Sequence, residues 1–152
     1  MQNAPPGLLK GSLDKQGRMQ VPVEAISFLK EFGFTKLFIT SVDGKTAKIY
    51  PIEVWRRNQA LLASVPQHAE LAKRLSFFAR AHGGEEAIDT AGRLLLPLEL
   101  RALLKLEKQS VWLEFHQGAA TILTQKDYDA RMGLSTEHLT TDLAVAESLG
   151  FV

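Results

Sequence analysis

The sequence predicts an α+β fold: two copies of one strand-turn-strand-helix unit combined in a single chain and joined by connecting helices. An internal repeat is the first observation behind this. Leu13-Asp14-Lys15-Gln16-Gly17-Arg18-Met19-Gln20-Val21-Pro22-Val23-Glu24 recurs at an offset of 75 as Ile88-Asp89-Thr90-Ala91-Gly92-Arg93-Leu94-Leu95-Leu96-Pro97-Leu98-Glu99, with Asp, Gly, Arg, Pro and Glu in register. With small slips, Leu37-Phe38-Ile39 then parallels Val111-Trp112-Leu113, Ile49 parallels Ile122, and Trp55 parallels Tyr128. The second observation is that short apolar runs in both copies are separated by glycine-bearing turns. The third is that each copy ends in a segment with apolar residues at helical spacing.

Each copy opens with a short apolar strand ending at the Asp of Asp-x-x-Gly-Arg, followed by a tight turn and a second strand. Gly17 and Gly92 supply that turn, because glycine accepts positive φ without steric cost. Pro22 and Pro97 suit a first helical position, where the missing amide is not needed, so helices are expected over residues 22–32 and 97–104, the first closed by Gly33. Strands over 37–42 and 46–50 flank Asp43-Gly44, a hairpin signal, and strands over 111–115 and 120–123 flank Gln117-Gly118. A closing helix starts near Pro51 in one copy and near Gln125 in the other. Helical spacing over 54–62 and 71–78, broken at Pro66, links the halves, and a Ser-Thr-Glu-His start predicts a separate tail helix over 135–149. The expected organisation is a first copy over 1–66, a helical connector over 67–84, a second copy over 85–132 and a helical tail over 133–152.

The net charge of +1 is unevenly spread. Residues 1–75 hold 11 Lys+Arg against 6 Asp+Glu, or +5, and residues 76–152 hold 7 against 11, or −4. The first half is therefore the expected anion-facing one. The absence of cysteine excludes disulfides, thiolate metal sites and a cysteine nucleophile. His68, His82, His116 and His138 lack metal-ligand spacing, and Gly83-Gly84 followed by Glu85-Glu86 lacks the Lys-Ser/Thr of a phosphate-binding loop and reads as a turn between copies. No metal, cofactor, small-molecule substrate or enzymatic activity is expected. No apolar run approaches a membrane span, and residues 1–9 do not resemble a signal peptide, so the expected compartment is the cytoplasm.

In each motif the short Asp can accept amide hydrogens across the loop, while the Arg returns on the next strand within reach of a charge-assisted pair. Asp14, Gly17, Asp89 and Gly92 are the structural turn residues on this view. A hairpin staple alone would account for such a pair. The functional reading adds exposure: an Arg fork matches phosphate or the O6/N7 edge of guanine, and Lys15 adds a point charge to the first turn. The Arg56-Arg57 and Lys73-Arg74 pairs read as solvated helix faces or supporting phosphate contacts, and Trp55 and Tyr128 as packing anchors.

Two Asp-x-x-x-Arg motifs, each followed by Pro-x-Glu, together with Tyr50-Pro51-x-x-x-Trp55, resemble the MraZ family over residues 8–132. The resemblance implies two AbrB-like swapped-hairpin units that combine like the subunits of an AbrB-type dimer, and whole chains assembled as a homo-oligomeric ring. It also implies a nucleoid-associated transcriptional regulator of the division and cell-wall gene cluster. The partner would be double-stranded promoter DNA carrying short direct repeats upstream of its own operon. Carried over by motif position, Arg18 is the leading DNA-contacting residue, with Lys15 in its turn, Lys10 on the preceding strand, and Arg93 as the counterpart in the second copy. Thr90 and Ala91 replace Lys15 and Gln16 there, and Glu85 and Glu86 precede the motif, so the second turn is expected to be mainly structural. The competing reading, favoured by the near-neutral charge, is a ring-forming assembly module with little or no DNA contact.

Overall fold

The computed structural model describes residues 4–31 and 36–152. Within them β1 (Leu9–Leu13) and β2 (Arg18–Gln20) precede α1 (Val23–Glu31), and β3 (Leu37–Thr40) and β4 (Ala47–Pro51) precede α2 (Ile52–Ala63). A 3-10 turn at Pro66–His68 leads into α3 (Ala69–His82). The second half repeats the order with β5 (Gly84–Glu86), β6 (Arg93–Leu95), α4 (Leu98–Leu104), β7 (Gln109–His116), β8 (Ala119–Thr124) and α5 (Gln125–Ser148). The class is α+β.

All eight strands join one antiparallel sheet in the order β5-β3-β4-β8-β7-β1-β2-β6. The halves interleave in it. β1 pairs β7, with Leu9 opposite Leu113; β5 pairs β3, with Glu86 opposite Leu37; and β2 pairs β6, with Met19 opposite Leu94. Exchanging the first four strands with the last four reproduces these pairings. The exception is the β1–β2 ladder, whose counterpart is reduced to a turn in which Asp89 N donates to Arg93 O at 2.8 Å. The strand expected to reach Asp89 stops at Glu86 and pairs only with β3, where Lys36 Nζ stands 3.6 Å from the Glu85 carboxylate. That turn links the two end strands, so the sheet curls into a nearly closed barrel.

Side chains alternate across each strand, and the inward set forms the main core. Met19, Leu94, Leu96, Leu100, Val111 and Ile39 are fully buried in it. A second cluster forms where the closing helices meet the sheet, and the repeat is visible there too. Trp55 of α2 stacks on Phe38 at 4.7 Å between centroids, and Tyr128 of α5 stacks on Trp112 at 4.2 Å. Each pair adds about 0.5–1.5 kcal/mol beyond its area burial. Arg131 also grips Glu114 with two hydrogen bonds of 2.8 and 3.2 Å.

Four details differ from the sequence reading. Pro97 is the N-cap of α4 rather than its first residue, at φ −56 and ψ 142. Pro22 stands likewise just before α1, its carbonyl accepting from Ala25 and Ile26. A proline's fixed φ serves a cap as well as a first turn. Residues 41–46 form a longer loop than the hairpin signal implies, because Asp43 gathers the amides of Lys45 and Thr46 about itself at 2.8 Å each. Gln117 and Gly118 do make the tight turn, both at positive φ. The third difference is that the closing helix and the tail helix are one continuous α5, capped at Thr124 by a reciprocal bond with Asp127. Ser135 does not start a helix, since α5 is already under way from Gln125 and runs through Gly133 and Ser135 with no proline to interrupt it. Lastly, α2 unites the helix starting near Pro51 with the segment at 54–62. The expected end of α1 at Phe32 and its closure by Gly33 lie outside the described residues.

Candidate nucleic-acid interface

The first motif folds as a closed staple. Asp14 Oδ1 accepts from the amides of Gln16 and Arg18 at 2.9 Å each, and Oδ2 accepts from Arg18 Nε at 2.8 Å. Arg18 also donates from Nη2 to Gln16 Oε1 at 3.3 Å, and Gly17 turns the chain at φ +80. Two of the five guanidinium donors are thus engaged by the described residues, and the other three have no partner among them, on a side chain about one third exposed (34%). The second motif repeats this geometry. Asp89 accepts from the Ala91 and Arg93 amides at 2.9 and 2.8 Å and from Arg93 Nε at 3.1 Å, with Gly92 at φ +79.

Both aspartates are held below the usual carboxylate value of 3.8. The largest cause in each is the backbone amide of the paired arginine; desolvation opposes it, and the guanidinium adds a smaller lowering. A carboxyl whose folded pKa is depressed contributes stability above its unfolded value and loses it as pH falls through the folded one. The turns are therefore expected to keep their form from pH 8 to 5 and to loosen only below about pH 4. Thermal melts should show this: Asp14→Asn and Asp89→Asn should lower stability at neutral pH and flatten the acid fall that wild type shows.

Topology brings the two turns together. Gly17 O accepts from Leu96 N at 3.0 Å, and Gly92 O accepts from Val21 N at 2.9 Å, so each turn rests on the opposite half. With Met19 and Leu94 pointing inward, Arg18, Gln20, Arg93 and Leu95 share the outward face of the β2–β6 ribbon. Arg18 stands opposite Leu95 and Arg93 opposite Gln20, which sets the two arginines diagonally about 8 Å apart at Cα. Gln20 Nε2 reaches the Ala91 and Gly92 carbonyls at 3.2 Å each, clasping the second turn.

Lys15 is exposed at the tip of the first turn. Lys10 shares the outward side of β1 with Ser12, but the register puts it beyond Gln20, level with the second turn instead of the first. Its ammonium lies 5.8 Å from the centre of the Trp112 ring. Two side chains at this face went unnoticed in the sequence. One is Gln20. The other is Arg101 of α4, which lies against Gly17 and donates from Nε to Leu96 O at 3.0 Å. Its only trace in the sequence is its offset of 75 from Ile26, because nothing local shows that the halves cross.

Fold and site together define an interleaved two-half β protein that presents paired Asp-Arg turns on one outward ribbon. No protein-family model matches the chain. It is similar to proteins named transcriptional regulator MraZ: 36% identical over 110 residues to that of Aromatoleum aromaticum (70% of this chain, 71% of the relative). The Acidobacterium capsulatum and Chromobacterium violaceum proteins are 34% and 35% identical over 59% and 64% of this chain. The chain spans 61% and 66% of those two relatives' own lengths. The chain belongs to the MraZ family of transcriptional regulators.

Proposed function

We propose that this protein is a sequence-specific DNA-binding regulator and that the ribbon face led by Arg18 and Lys15 meets double-stranded promoter DNA. One observation carries this: Asp14 holds the Arg18 fork in place while three of its donors have no partner among the described residues. A fork so held loses little freedom on meeting phosphate or a guanine edge. Arg93 is a secondary contact, flanked by Thr90 and Ala91 where the first turn has Lys15 and Gln16, and Lys10 is a peripheral one.

The finer reading follows from the family resemblance. The target is a set of short direct repeats upstream of the protein's own operon, in the division and cell-wall gene cluster, bound in the cytoplasm at the nucleoid. The interleaved pairing of β1 with β7 and β5 with β3 supports two AbrB-like swapped-hairpin units, over 1–66 and 85–132, with 67–84 as connector and 133–152 as tail. Exposed Leu134, Leu139 and Leu143 on α5, with Leu149 just after it, support a homo-oligomer, which the family resemblance makes a ring. The same exposed surface favours the assembly-module reading.

A mobility-shift titration separates the two. The protein should retard DNA from upstream of its own gene at concentrations where unrelated DNA of equal length does not compete. Equal retardation of both, or of neither, contradicts sequence-specific binding. Light scattering that finds only a monomer at micromolar concentration would remove the ring.

A further inference from the structure

We propose that Arg101, contributed by the second half of the chain, is a third cation of the first turn and contacts the phosphate backbone of the DNA that Arg18 and Lys15 engage. The inference rests on the DNA-binding reading above and names a residue outside both Asp-x-x-x-Arg motifs.

The geometry begins with the crossing of the halves. Leu96, just before α4, donates its amide to the Gly17 carbonyl at 3.0 Å, so α4 starts beneath the first turn. Arg101 then folds back, and its Nε donates to the Leu96 carbonyl at 3.0 Å. A Cβ added to Gly17 would lie 2.3 Å from both Cζ and Nε of Arg101, so the guanidinium is laid directly on the glycine backbone. Gly17 thus does two things: it accepts φ +80, and it leaves the space that Arg101 occupies.

Charge gives this placement its meaning. Arg18 is neutralised by Asp14, whereas among the described residues no carboxylate pairs with Arg101 or Lys15. Lys15, Arg18 and Arg101 thus stand at or against one turn that carries a single carboxylate, paired with Arg18, which leaves two cations of the turn without a carboxylate partner among the described residues. The Nε bond leaves both terminal nitrogens of Arg101 without a partner among the described residues, and its side chain is only partly buried. Phosphate fits that fork. The second turn lacks the equivalent. The side chains lying on Gly92 are the neutral amide of Gln20, with Nε2 2.9 Å from the Cβ position, and Ile26, with Cδ1 at 3.2 Å, so no cation stands where the first turn has Arg101.

The test is a binding titration of upstream DNA across salt concentrations with the full chain carrying Arg101→Gln or Arg101→Lys. Removing one phosphate contact lowers the slope of log affinity against log salt by about 0.9, equivalent to roughly eight-fold in affinity at 0.1 M salt relative to 1 M. Arg101→Gln should show that reduction for every chain touching DNA, and Arg101→Lys should recover most of the slope. An unchanged slope in Arg101→Gln overturns the proposal. So does an equal reduction in Arg101→Gln and Arg101→Lys with a matching fall in melting temperature, which would mark a purely structural contact to Leu96. If Arg18→Ala also binds as wild type, the DNA-binding face itself is wrong; if only Arg18→Ala is impaired, the face stands and Arg101 is not part of it.

Discussion

Leu94→Ala is expected to destabilise the fold by about 2–5 kcal/mol, the usual cost of emptying a leucine site in a packed core. Leu94 is fully buried and stands opposite the equally buried Met19, where the two halves meet in the β2–β6 ribbon. The cavity would open at the seam between halves, and neither half can collapse into it without breaking the hydrogen bonds that seat Gly17 and Gly92 on the opposite chain segments. For a chain of this length each kcal/mol corresponds to about 2–4 °C in melting temperature. Leu95→Ala, one residue along and exposed, should stay within about 0.5 kcal/mol of wild type. Denaturant titrations of both variants would check the pair. Similar stability in the two would mean that β2 and β6 do not share a buried face.

Arg18→Ala should have the largest effect on DNA binding. If the side chain meets phosphate, its removal costs roughly eight-fold in affinity at 0.1 M salt for each chain engaged, and an assembly touching several repeats multiplies that factor. If it reads a guanine edge, the cost is about 1–3 kcal/mol per contacted base pair and falls on the target sequence more than on random DNA. The salt slope shrinks in the first case and holds in the second. Arg93→Ala should do less, because the second turn carries Thr90 and Ala91 and packs against Ile26. Circular dichroism and sizing should find both variants folded, since each removes a solvent-screened, partly exposed ion pair and leaves the backbone amides on its aspartate in place.

What the sequence made legible was local or periodic. The offset-75 repeat placed both staples, the Pro-led helices and the matched aromatic anchors Trp55 and Tyr128, because each depends on residues close in the chain. Pairings between halves were not legible: β1 with β7 and β3 with β5 join segments far apart, and neither a turn nor a spacing announces them. That omission hid Arg101, and it also made Lys10 look like a neighbour of Arg18. In the sheet Lys10 is level with the second turn, because each step back along β1 from Asp14 matches a step forward along β2. The continuity of α5 was obscured for a different reason: Ser135 carries the side chain of a cap, yet a cap requires the preceding backbone to leave the helix, and here it does not.

The cysteine-free sequence allows a direct measurement of which face meets DNA. Single variants Gln16→Cys, Ala91→Cys and Glu137→Cys can each carry a short photo-activated crosslinker, at the first turn, the second turn and the distal part of α5. With DNA from upstream of the gene, Gln16→Cys should crosslink most strongly, Ala91→Cys more weakly, and Glu137→Cys at the level of unrelated DNA. Crosslinking that is strong from Glu137→Cys or Ala91→Cys and absent from Gln16→Cys would contradict the assignment of the first turn as the DNA-facing surface.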